Sequence, residues 1–160
     1  MIVVSDTSPI SNLAAIGQLV ILQQLYSEVI VPTAVHQELL NSGSEDLAVL
    51  AIQTLDWIQI RSVNNAALLQ PLQAILDVGE AEAIVLAIEL TADRLLMNER
   101  RGRQQAIQAG LKVTGLLGIL LAAKQQKVVT TVKPLLDALI ANGFWVHGEL
   151  YAETLSLARE

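Results

Sequence analysis

Short apolar runs rich in Val, Ile and Leu alternate along this chain with longer stretches of helical periodicity. That alternation confines it to an α/β architecture in which crossover helices connect the strands of a mostly parallel sheet. About five strands are predicted, at residues 2–5, 28–31, 57–61, 94–97 and 111–113. Helices are predicted at 10–15, 19–26, 33–40, 45–54, 66–76, 80–90, 101–109, 116–125 and 132–141. Local punctuation supports these boundaries. Ser8 is placed to cap a helix whose first position is Pro9, Pro32 stands where a strand hands over to a helix, and Gly43 and Gly110 follow helix ends. Residues 144–148 are predicted as a short final strand before a terminal helix.

A length of 160 residues suits one compact domain spanning 1–160, and 52% hydrophobic against 16% charged content supplies ample material for its core. Each buried Leu, Ile or Val contributes roughly 1.5–3 kcal/mol, so neither a disulfide nor a structural metal is needed to hold the fold. The apolar surplus implies a covered face, hence a homodimer, a higher homo-oligomer or a protein partner. With no cysteine, thiol chemistry and thiolate zinc sites are excluded. No basic segment precedes the first apolar stretch, which is too short for a signal peptide. The longest apolar run, 113–123, falls far short of the roughly 20 residues a spanning helix requires. A cytoplasmic location with no membrane partner is expected.

Acidic residues recur where the chain returns to one edge of such a sheet. Asp6 closes the apolar run 1–5, Glu38 lies late in the helix after Pro32, Glu80 and Glu82 follow Gly79, and Asn98-Glu99 ends the run Leu95-Leu96-Met97. Carboxyl ends of parallel strands are where α/β folds place their chemistry. Charge is also partitioned. Residues 1–93 carry one Arg against eleven acids, whereas residues 94–133 carry eight of the ten basic residues against Glu99 alone. An acidic first half can assemble a cation site while a basic second half, above all Arg100, Arg101 and Arg103, holds a polyanion beside it.

Plainer roles compete for each position. Asp6-Thr7-Ser8 also reads as a helix cap, Glu80 and Glu82 as favourable acids of a first helical turn, and Lys124, Lys127 and Lys133 as a solvated face. Ser11 and Asn12 support the first turn. Gly115 and Gly118 fit close packing rather than a phosphate-binding loop. His36 and His147 are isolated. Trp57, Trp145, Tyr26 and Tyr151 are too scattered for a base-stacking platform and are assigned to core or interface.

Five segments in this order and spacing resemble the PIN-domain nucleases, and in particular a short prokaryotic branch. They are Val4-Ser5-Asp6-Thr7-Ser8-Pro9, Val31-Pro32 through Glu38-Leu39, Gly79-Glu80-Ala81-Glu82-Ala83-Ile84, the stretch from Leu95 to Arg103, and Gly115-Leu116-Leu117-Gly118. The resemblance implies a single PIN-like domain in which Asp6, Glu38, Glu80 and the position of Asn98 are catalytic. It also implies Mg2+ or Mn2+ bound among Asp6, Glu38, Glu80, Glu82, Asn98 and Glu99, with RNA held by Arg100, Arg101 and Arg103. Converging carboxylates repel one another, and a divalent ion relieves the repulsion while lowering the pKa of a bound water toward about 7.

Such a chain is expected to be a metal-dependent endoribonuclease acting on single-stranded or structured RNA, the toxin half of a toxin-antitoxin pair with a cognate antitoxin. The branch usually carries an acid pair where this chain has Asn98-Glu99, and an amide brings oxygen but no charge. The alternative is therefore a catalytically impaired relative acting as a nucleic-acid-binding or protein-interaction module.

Overall fold

A computed structural model of the protein describes residues 1–42 and 47–160. Strand β1 (Val3–Ser5) leads into α1 (Thr7–Ala15) and α2 (Val20–Tyr26); β2 (Val29–Pro32) leads into α3 (Thr33–Leu40) and α4 (Leu47–Thr54). After β3 (Ile58–Arg61) come α5 (Ala66–Gln73) and α6 (Val78–Glu89), and β4 (Arg94–Leu96) is followed by α7 (Arg100–Gln108). The chain closes with β5 (Val113–Thr114), α8 (Leu116–Gln125), α9 (Lys133–Ala141) and α10 (Gly148–Leu157). The strands form one five-stranded sheet in the order β3-β2-β1-β4-β5, and every neighbouring pair is parallel.

Both faces of the sheet are covered, which is why its strands read as unbroken apolar runs. Successive side chains point to opposite faces. Val3 and Leu96 accordingly join the cluster built with Ile10, Leu13 and Leu22, while Val4, Leu95 and Met97 join the other, with Ile84 and Leu86. The register Val4 against Leu95 and Ser5 against Leu96 keeps like faces together. A third, smaller cluster of Leu120, Val132, Leu136, Leu139 and Ala158 ties α9 and α10 to the outside of α8.

Three sequence expectations are corrected. Helix α1 begins at Thr7 with Asp6, not Ser8, at its N-cap, because a proline at the third helical position removes only an N–H that has no partner in the first turn. Ser8 instead accepts from the Asn12 side chain, through its carbonyl at 2.8 Å and its hydroxyl at 3.0 Å. Helix α5 stops at Gln73 rather than at 76: it buries no residue, and Pro71 withholds a backbone donor. Residues 144–147 are irregular rather than a strand, because Phe144 and Val146 pack onto the third cluster instead of lying beside β5. Gly43 and the predicted start of the 45–54 helix lie outside the described residues. No helix among the described residues is long and apolar enough to cross a membrane.

Candidate active site

The strand order reverses between β1 and β4, since the chain builds outward from β1 to β2 and β3 on one side and to β4 and β5 on the other. A crevice opens beyond the carboxyl ends of those two strands, the topological switch point where parallel α/β sheets bind ligands. Asp6 follows β1 directly, and its backbone N–H donates to the carbonyl of Leu96 at 2.9 Å, which locks it against the end of β4. Asp6 is 4% exposed and Glu80 8%; among the described residues they are the only buried carboxylates, and neither makes an ion pair.

Burial dominates the electrostatics of both groups. It pushes the Asp6 carboxyl from an ordinary 3.8 up to about 7; the Thr7 N–H offsets part of this, and the charges of Asp77, Glu38 and Glu99 add to it. Burial likewise raises Glu80 from 4.5 to about 8, reinforced by its side-chain hydrogen bond to Asp77 and by the Asp77, Asp6 and Glu99 charges. Asp77 is the N-cap of α6, and its Oδ1 accepts from the Glu80 N–H at 2.8 Å. Glu38 is fixed from the other side, with the Thr7 hydroxyl donating to its Oε2 at 2.5 Å.

Two glycines shape the pocket. A Cβ at Gly79 would collide with the Glu38 carboxylate, and one at Gly102 would lie 2.7 Å from Glu80 Oε2 and 2.6 Å from Met97 Sδ. Each helix therefore approaches a carboxylate as only glycine allows.

A family model described as a PIN domain matches residues 2–160. The chain belongs to the PIN-domain family. No curated protein matches it. The PIN domain is a nuclease fold that generally uses divalent metals. Among the described residues no three acids are already arranged as a cation cage. The chemistry of the donors nonetheless fits a hard cation: two buried carboxylates with no cationic partner among the described residues are surrounded by three further acids, with no thiolate competing.

The remaining predicted residues of this PIN domain divide between site and scaffold. Glu99 acts electrostatically on both buried acids, whereas the Asn98 Oδ1 accepts from the Leu116 N–H at 3.4 Å, at the start of α8 where the cap residue Gly115 has no side chain to offer. Glu82 accepts from the Ala34 N–H at 3.1 Å and so serves the first turn of α3. Arg100 and Arg101 are exposed and Arg103 is half-buried; none forms an ion pair among the described residues. Lys124 and Lys133 are engaged elsewhere, by Glu160 at 3.0 Å and Asp137 at 2.9 Å. Sequence reasoning missed Asp77, although Asp77 three residues before Glu80 is a capping-box spacing that marks the helix start.

Gly102→Ala should displace the Glu80 carboxylate while gaining helix propensity of up to about 1 kcal/mol. The expected result is a nearly unchanged melting temperature without metal and a much smaller rise on adding manganese. A full manganese-induced rise in this variant would remove Glu80 from the metal site.

Proposed function

We propose that this PIN domain is a Mg2+- or Mn2+-dependent endoribonuclease. The observation that carries the reading is the pair of buried carboxylates, Asp6 and Glu80, which have no cationic partner among the described residues and lie at the switch point of the sheet with Glu38, Asp77 and Glu99 around them. Folding tolerates such a pair only at a cost, and a cation offsets it. Asp6 and Glu80 would hold the metal, with Glu38, Asp77 and Glu99 supplying the surrounding charge. When bound, the metal supplies an ionised water at neutral pH and a Lewis acid for the phosphate.

The chain's own groups do the positioning. Thr7 holds the Glu38 carboxylate in place, Asp77 fixes the start of α6 and with it Glu80, and Asn98 anchors α8. Arg100, Arg101 and Arg103 offer forked donors to phosphate oxygens. Because Asn98 serves as a helix anchor while Glu99 supplies charge to the cluster, the amide at position 98 does not by itself argue for a decayed site.

The resemblance of the Asp6-Thr7-Ser8-Pro9 and Gly79-Glu80-Ala81-Glu82 segments supports a role as the toxin of a toxin-antitoxin pair in a prokaryotic cytoplasm. Exposed apolar side chains such as Leu47, Leu50 and Val78 support a homo-oligomeric or antitoxin-covered face.

A panel of structured and unstructured RNAs incubated with manganese tests the activity. Asp6→Asn and Glu80→Gln should each slow cleavage by roughly 100-fold or more, as expected for groups acting in the transition state. Absence of cleavage by the native chain across the panel would overturn the nuclease reading.

A further inference from the structure

A groove of about 1320 Å³ lies along the free edge of β5, lined by residues of α7, of α8 and of 143–146. Its size exceeds the roughly 300–1,000 Å³ of small-molecule pockets, which points to an extended ligand. Asn98 and Glu99 are among its lining residues, which places it beside the site already described.

Three arginines, Arg94, Arg100 and Arg103, line the groove, and none has an acidic partner among the described residues. The Arg103 guanidinium lies directly against Gly115, at the junction of crevice and groove. In a chain of net charge −6, three arginines against the single carboxylate of Glu99 in one channel are a complement to a polyanion. Further along stands Trp145, 74% exposed, held edge-on by His147 at a ring-centroid distance of 4.6 Å. A large indole left this open gains nothing for the core, whereas its face is a stacking surface for a base. Trp145 is therefore not a core residue, since 144–147 packs inward through Phe144 and Val146 instead; its exposure is compatible with the interface role that the sequence also allowed.

We infer that this groove is the bed of a single RNA strand, with Arg103, Arg100 and Arg94 on its phosphates and Trp145 stacked on a base displaced from the scissile position. The inference rests on the ribonuclease reading for the identity of its ligand. An unpaired strand is required, since a base already stacked in a duplex has no free face to offer. Arg94 also reaches the Thr114 hydroxyl at 3.4 Å, which holds it along the β5 edge.

Binding of an unstructured ten-nucleotide RNA in EDTA, where cleavage cannot occur, tests the inference by tryptophan fluorescence. Trp57 is buried, so the quenching expected from RNA reports Trp145. Trp145→Ala should weaken binding by about tenfold or more, Trp145→Phe should keep most of the affinity while losing the quench, and a hairpin duplex should bind more weakly than the open strand. Arg103→Ala should flatten the log-log salt dependence by about 0.7. Unchanged affinity in Trp145→Ala, or no binding by the native chain, overturns the inference. So does a native dimer that Trp145→Ala dissociates with RNA affinity intact, which would make the groove an interface between copies. Quenching without manganese-dependent cleavage would defeat the nuclease reading and leave the strand bed standing; cleavage with Trp145→Ala indistinguishable from native would do the reverse.

Discussion

In metal-free buffer the protein is expected to lose stability as pH rises from about 5 to about 8, and manganese is expected to restore it mainly at the upper end. Asp6 and Glu80 keep protons to about 7 and about 8 in the fold, against 3.8 and 4.5 ordinarily. Between these limits the native state holds protons that the unfolded chain has already lost, so stability is greatest at the acid end of the window and declines through it. Allowing for screening where the crevice admits water, the decline is on the order of 3 kcal/mol, or about 10 °C in Tm. A divalent ion competes with those protons, so its stabilising effect should grow with pH. Asp6→Asn removes one of the two groups and should flatten the pH dependence, raise metal-free stability near pH 8 and abolish most of the manganese effect. Thermal melting at pH 5.5 and 8, with and without manganese, measures all three; a native Tm insensitive to pH over this range would contradict the burial of two uncompensated carboxylates.

Glu99→Gln is expected to reduce RNA cleavage by roughly tenfold, because it removes one negative charge from the cluster that would attract the cation. Asn98→Asp should leave cleavage close to native. The difference follows from what each side chain meets. The Glu99 charge reaches both buried acids, while the Asn98 amide oxygen is committed to the N–H of Leu116. A carboxylate at position 98 can keep that acceptor role, and near a helix N-terminus its charge is tolerated. Asn98→Ala, in contrast, loses the anchor and should cost about 1 kcal/mol, or about 2–4 °C in Tm, with metal affinity retained. Should Asn98→Asp raise cleavage well above native, position 98 would be a weakened ligand and its contact with α8 incidental.

Much of the site was legible because its logic is local. An acid after an apolar strand run, a glycine before Glu80 and an arginine cluster after Glu99 are all readable from residue type and order. Asp77 escaped because an N-cap aspartate is so ordinary; its capping bond to the Glu80 N–H is visible in the spacing, its charge on Glu80 and Asp6 is not. Asn98 and Glu99 are adjacent in the segment between β4 and α7 and differ in role, because the Asn98 amide oxygen accepts from the Leu116 N–H at the start of α8 while the Glu99 charge acts on the buried acids.

The sequence by itself determined the α/β class, the parallel sheet and the placing of carboxylates at strand ends, since each follows from periodicity and from the covering of both sheet faces. Only the tertiary structure decided which acids are buried, that Glu82 supports α3, and that Trp145 is exposed beside the groove arginines. Burial and charge proximity depend on contacts between residues far apart in the chain, such as Glu38 on Gly79 and Glu80 on Gly102, and no local pattern encodes them.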